Sequence, residues 1–212
     1  MRKLLEVFAS GDKSGMATRL FNAFLAENCR RVTYFDDPAL NAAAEKHPNI
    51  DYWCKAALNA PDWPRHTPTK LYIHQALKNA NWDIGKIIVP TNLRVPAFNE
   101  GNQTPFRRFN TEDFDNGLGL MINGVQHVYV VATYYHHEPT ANHYVIRLKY
   151  FFYDVFGLDD EDLREFGAKS DSIFRTDAGI GITAWWQLQH QHGCAPFVTR
   201  ITLEKNYVVP TK

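Results

Sequence analysis

Cysteine is scarce: Cys29, Cys54 and Cys194 are the only three in 212 residues. They are far apart, odd in number and contain no CxxC pair, so neither a disulfide framework nor a structural zinc site is expected. Reduced, buried thiols fit synthesis in the cytoplasm. Charge of one sign is also lacking, with 23 Lys and Arg against 23 Asp and Glu. A nucleic-acid binder normally carries a basic excess, so no nucleic-acid partner is expected. No apolar run reaches the ~18 residues of a membrane-spanning helix. The start, MRKLLEVFASGDKSG, has an apolar run too short and too polar for a signal peptide, being interrupted by Glu6. Action outside the cytoplasm would therefore require a dedicated export machine. GxSxG, Walker A, GxGxxG and HExxH are all missing, so acyl-transfer, nucleotide, dinucleotide and zinc-protease chemistries have no positive signal.

What is present is a sizeable hydrophobic fraction, 45%, enough for a core that needs no covalent staples. The expectation is a single α+β domain over 1–212, with a mainly helical subregion at 1–80 and a β-rich subregion at 81–212. Met16, Leu20, Phe21, Phe24 and Leu25 follow helical spacing. Asp37-Pro38 is an N-cap followed by proline in the first turn, and the alanine-rich stretch behind it continues to about Lys46. Asp51 opens a short helix. Thr67-Pro68 repeats the cap-plus-proline signal ahead of a stripe at Ile73, Ala76, Leu77 and Ala80. A short strand is read at 84–89 and a long polar loop at 90–116. The segment 118–122, Asn123-Gly124 and 125–135 reads as a hairpin with a type I′ turn. With the strand that follows, it gives an antiparallel β-meander. Helices at about 160–166 and 180–192 come next, stopped by Gly167 and Gly193, and 197–204 alternates as a last strand.

The run HYVIRLKYFFYDVFGLDDEDL, 143–163, concentrates hydrophobicity and charge. Tyr144, Ile146, Leu148, Tyr150 and Phe152 share one face of a strand, and Asp154 falls on that same inward side. A carboxylate there is costly unless it is paired. It is either tied to an arginine or to backbone amides, or it is a catalytic acid or nucleophile at a strand end. Asp159, Asp160, Glu161 and Asp162 follow. Asp159 and Asp162 have capping-box spacing, with Leu158 and Leu163 at the staple positions. The other reading is a carboxylate cluster for a divalent metal or for acid–base work. His190 and His192 end a helix, where a cation is favoured. A metal site from His143, His190 and Asp154 requires the fold to bring them together. Trp185-Trp186 reads as core, with Gln187, Gln189 and Gln191 on the other side of that helix. The catalytic candidates are Asp154, Asp159, Asp160 and His190, serving a hydrolase if the protein is an enzyme; cofactor and metal stay unassigned.

Several phrases, VTYFDDPAL, KHPNI, IHQALKNANWDI, VPAFNEG, NGLGLMINGVQHVYV, YDVFGLDDEDLREFGA and GITAWWQLQHQHGCAPFVTRI, resemble a bacterial family defined only as a domain of unknown function. The resemblance spans most of the chain. It implies a protein encoded beside type VI secretion components in Gram-negative bacteria. The role it implies is an antibacterial effector acting on the envelope or membrane of competitors, exported without a signal peptide. The alternative is a non-enzymatic adaptor or cargo domain whose partner is a secretion spike or an immunity protein. Tyr153-Asp154 and Arg164 also resemble part of the motif of the colicin M group, which cleaves a lipid-linked peptidoglycan precursor. The first aspartate of that motif is replaced here by phenylalanine.

Overall fold

The long strand read from alternation at 143–156 is the middle of the molecule. The structure, a computed structural model, describes residues 15–26, 34–48, 50–51, 54–55, 61–62, 67–83, 86, 118–121, 127–169 and 177–210. Their order is α1 (Met16–Leu25), β1 (Tyr34–Asp36), α2 (Pro38–Lys46), β2 (Pro61–Asp62), β3 (Thr67–Pro68), α3 (Thr69–Asn79), α4 (Leu118–Met121), β4 (His127–Glu138), β5 (His143–Phe156), α5 (Asp160–Phe166), α6 (Asp177–His190) and β6 (Phe197–Pro210). Helices lead, a mixed sheet follows, and two helices sit between its last strands, which is an α+β architecture.

The main sheet has the order β1-β6-β5-β4. β4, β5 and β6 form an antiparallel meander, and β1 adds a parallel edge to β6 through Tyr34, Phe35 and Asp36. Three expectations need correction. The sheet is mixed, because the helical N-terminal region donates a strand. Residues 118–121 form a helical turn, not a strand, since a short apolar run fits either state; the expected turn at Asn123-Gly124 lies outside the described residues. Thr67-Pro68 pairs with Pro61-Asp62 and the helix starts at Thr69. The expected strand at 84–89 and loop at 90–116 fall outside the described residues, apart from Lys86.

Alternation sorts the sheet into two faces. Tyr144, Ile146, Leu148, Tyr150, Phe152 and Phe156 from β5 are buried, as are Phe197, Ile201, Leu203 and Val209 from β6. The N-terminal helix closes one end of this face. Phe21 and Phe24 meet Phe156 edge-on at 5.3 and 6.2 Å, and Phe21 meets Trp185 at 5.1 Å. Phe156 also stacks on Phe197 at 5.0 Å. In the middle, the buried Tyr150 hydroxyl donates to Cys54 O at 2.7 Å and lies 3.0 Å from the Tyr207 hydroxyl. Burial pushes the Cys54 thiol up to about 12, so it stays protonated at neutral pH.

Phe156 is the ring shared by α1, α6 and β6. Phe156→Ala is expected to lower unfolding free energy by about 3–5 kcal/mol, since deletion leaves a cavity among four other rings. Urea unfolding measures it. A loss below about 1 kcal/mol would show that these rings do not form the core.

Candidate functional site

Among the described residues, three places that gather chemistry-bearing side chains stand out. The first is the junction of β5, α5 and α6, where the acidic run lies. Asp159 is the N-cap of α5: its Oδ1 accepts from Glu161 N at 2.8 Å and Asp162 N at 2.9 Å. Asp162 Oδ2 accepts from Asp159 N at 3.0 Å, completing the capping box expected from the spacing. Burial raises the Asp162 carboxyl above its ordinary value. Gly157 permits the close approach of α6, since a Cβ there would lie 2.7 Å from Pro196 Cβ and 2.9 Å from Gln189 Oε1. Gln189 then pairs with the Leu158 backbone, accepting its N–H at 3.0 Å and donating to its carbonyl at 2.9 Å. His190 Nε2 bonds the same carbonyl at 2.9 Å. The His190 ring stacks on Trp186 at 4.6 Å, and Trp186 Nε1 donates to Asp160 Oδ1 at 3.1 Å.

The structure therefore brings Asp159, Asp160 and His190 to one exposed corner, where each has a structural bond. Asp154 is held apart from them on the inner face and is 8% exposed. Its Oδ1 accepts from Val155 N at 2.9 Å, and its carbonyl accepts from the Thr199 hydroxyl at 3.1 Å. His143 and Asp154 stand eleven residues apart on one strand, about 36 Å. The combination His143, His190 and Asp154 cannot share a metal. No group of three or more His, Cys, Asp or Glu side chains among the described residues could hold a metal ion. Tyr153 and Asp154 point to opposite faces, and Arg164 is exposed on α5 and pairs with Glu161 at 3.2 Å. These three do not converge.

The second place carried no signal in the sequence. A β-bulge at Thr133 shifts the register of β4, so Tyr135 and His137 turn inward opposite Ile146 and Tyr144. His74 of α3 lies over them. Its Nδ1 is 2.8 Å from the Tyr135 hydroxyl, and its ring stacks on Tyr144 at 5.3 Å. Trp82 lies flat against His137 at 4.7 Å and Tyr135 at 5.6 Å. Asn81 and Trp82 both adopt left-handed backbone, φ 53° and 65°, and Trp82 N donates to Leu77 O at 2.7 Å. Such residues cost about 1–3 kcal/mol each and persist only where packing fixes them. Burial, the neighbouring His137 and Lys78 lower the His74 pKa.

The third place is the outer sheet face. Successive cross-strand rows carry Tyr34–Val198–Val155, then Asp36–Arg200–Tyr153, Thr202–Phe151–Tyr129, Glu204–Lys149–Val131 and Asn206–Arg147–Tyr134. Tyr34, Tyr129, Val131, Tyr134, Val155 and Val208 are all exposed. Arg200 Nη2 and Nε reach Asp36 Oδ2 at 2.6 and 3.0 Å, and this bond raises the guanidinium pKa. Compared with protein families, curated proteins and solved structures, the chain shows no match.

Two predictions follow the geometry. Asp159→Ala removes a cap and is expected to cost about 1 kcal/mol of stability, read by urea denaturation. The His74 proton gives a pH dependence. With its folded pKa below the ordinary 6.5, the unfolded chain binds the proton first as pH falls, so stability drops below about pH 6.5. The groups facing this imidazole are His137, Lys78, Tyr135 and Tyr144. Urea midpoints at pH 7.5 and 5.5 are expected to fall less in His74→Gln than in the parent. Equal falls would show that His74 is not the titrating group.

Proposed function

We propose that the chain is a type VI secretion-associated antibacterial effector that engages the envelope of a competitor cell through its outer sheet face. The observation that carries this reading is the uncovered face itself: Tyr34 is 64% exposed and Tyr129 42%, on strands whose other side forms the core. Large aromatic rings held open to water on a rigid sheet are the usual material of a recognition surface. The secretion context comes from the sequence phrases described above. Among the described residues no helix is long and apolar enough to cross a membrane.

The bonds of Asp154 and Asp159 favour a second reading. Both carboxylates accept main-chain amides, which is the setting of structural acids, not of a nucleophile. On that reading the chain is a non-enzymatic adaptor or cargo domain, and the same face meets a secretion spike or an immunity protein. Expression in a susceptible strain separates the two. A periplasm-directed form is expected to arrest growth and the cytoplasmic form to be tolerated. Asp154→Asn, if it folds as the parent does by circular dichroism, is expected to retain that toxicity. Absence of harm in both compartments would remove the effector reading; loss of toxicity in a folded Asp154→Asn would restore a catalytic role for that acid.

A further inference from the structure

The outer face contains one part that is built, in the sense that its polar groups are held by further bonds. Asp36 and Arg200 form the ion pair between two tyrosines. Arg200 lies over the Tyr34 ring at 5.9 Å, and Tyr34 meets Tyr153 at 6.4 Å. Tyr153 meets Tyr129 at 5.6 Å, so a line of rings crosses from β1 over β5 to β4. Asn41 orients the pair: its Nδ2 donates to Asp36 Oδ1 at 3.3 Å, while its Oδ1 accepts from Thr202 N at 3.0 Å. The carboxylate and guanidinium are thus fixed before any ligand arrives, which lowers the ordering cost of binding.

We infer that this platform, Tyr34, Tyr129 and Tyr153 around the Asp36–Arg200 pair, binds a glycan strand of the bacterial cell envelope. Three observations select that occupant. Two of the three cations on the face are paired, Arg200 with Asp36 and Arg147 with Glu204 at 3.4 Å, and Lys149 lies over the Phe151 ring, so no concentrated positive field draws a polyanion. A protein interface wants a dry apolar centre with a polar rim. Here charge runs through the patch: Asp36 and Arg200 share a row with Tyr153, and Glu204 and Lys149 share one with Val131, on either side of Phe151 and Tyr129. A sugar chain instead offers C–H faces that lie on rings and hydroxyls that both donate and accept. The tyrosines supply the rings, and the fixed pair supplies an acceptor beside a donor.

This inference deepens the envelope reading and rests on it for the choice of glycan. The test is co-sedimentation of the full chain with purified Gram-negative sacculi, with a soluble N-acetylglucosamine tetramer as competitor. Saturable binding, released by the tetramer and weakened at least about tenfold in Tyr34→Ala/Tyr129→Ala, is expected. Both side chains are exposed, and an unchanged melting temperature confirms that the variant is folded. Protein left in the supernatant, equal binding by the folded variant, or release by stem peptide and not by the sugar would each overturn the inference. So would tighter binding to a labelled oligothymidine. A chain that binds sacculi but is harmless in the periplasm would lose the effector reading and keep the glycan site. A toxic chain that ignores sacculi would do the reverse.

Discussion

Everything in this molecule depends on the register of β5, paired along its whole length with β6 and nearly so with β4. A one-residue slip would carry Tyr150 and Phe152 to water and bring Arg147 and Lys149 into the core. The burial of large rings on one face makes that slip prohibitive. The same constraint decides what is presented outside, because each inward residue fixes the outward direction of its neighbour. Tyr153 is therefore outward because Phe152 and Asp154 are inward.

The inner face has two ends with different chemistry. At one end lie Asp154, Thr199 and the capped helix that carries Asp159 and Asp160. At the other lie His74, Tyr135, His137, Tyr144 and the left-handed Trp82. The strand between Tyr144 and Asp154 separates them by about 33 Å. The first end is tied together by side chains bonding to main chain, with Gln189 closing both polar groups of Leu158. The second is held by ring stacking around the His74–Tyr135 hydrogen bond. The outer platform is set by the sheet and by Asn41 of α2.

Much of this was legible in the residues. The alternation at 143–156 predicted the central strand and the inward side of Asp154. The Asp159–Asp162 spacing predicted the capping box, and Asp37-Pro38 the start of a helix that the side chain of Asp37 does cap. α6 ends at His190, two residues before the expected 192, and Gly193 turns the chain just beyond it with φ 74°. The misses have physical causes. β1 is three residues long, too short for a period to declare itself, and its partner strand lies far along the chain. The run at 118–121 is apolar without a period. The His–Trp cluster depends on the bulge at Thr133: plain alternation from Ala132 would have sent Tyr134 and His136 inward, and no local signal marks the extra residue. The outer platform was not foreseen, because the ion pair at its centre joins residues 36 and 200.

That last pair has a consequence for how the chain assembles. The Asp36–Arg200 bond and the parallel seam around it connect segments separated by 164 positions. Contacts so distant in sequence form late, because a long stretch of chain must be ordered before they close. Synthesis must reach the final strand before the first can dock. A chain truncated before β6 would lack the centre of the sheet as well as its edge. The ring platform on the outer face therefore forms only after β6 has been made.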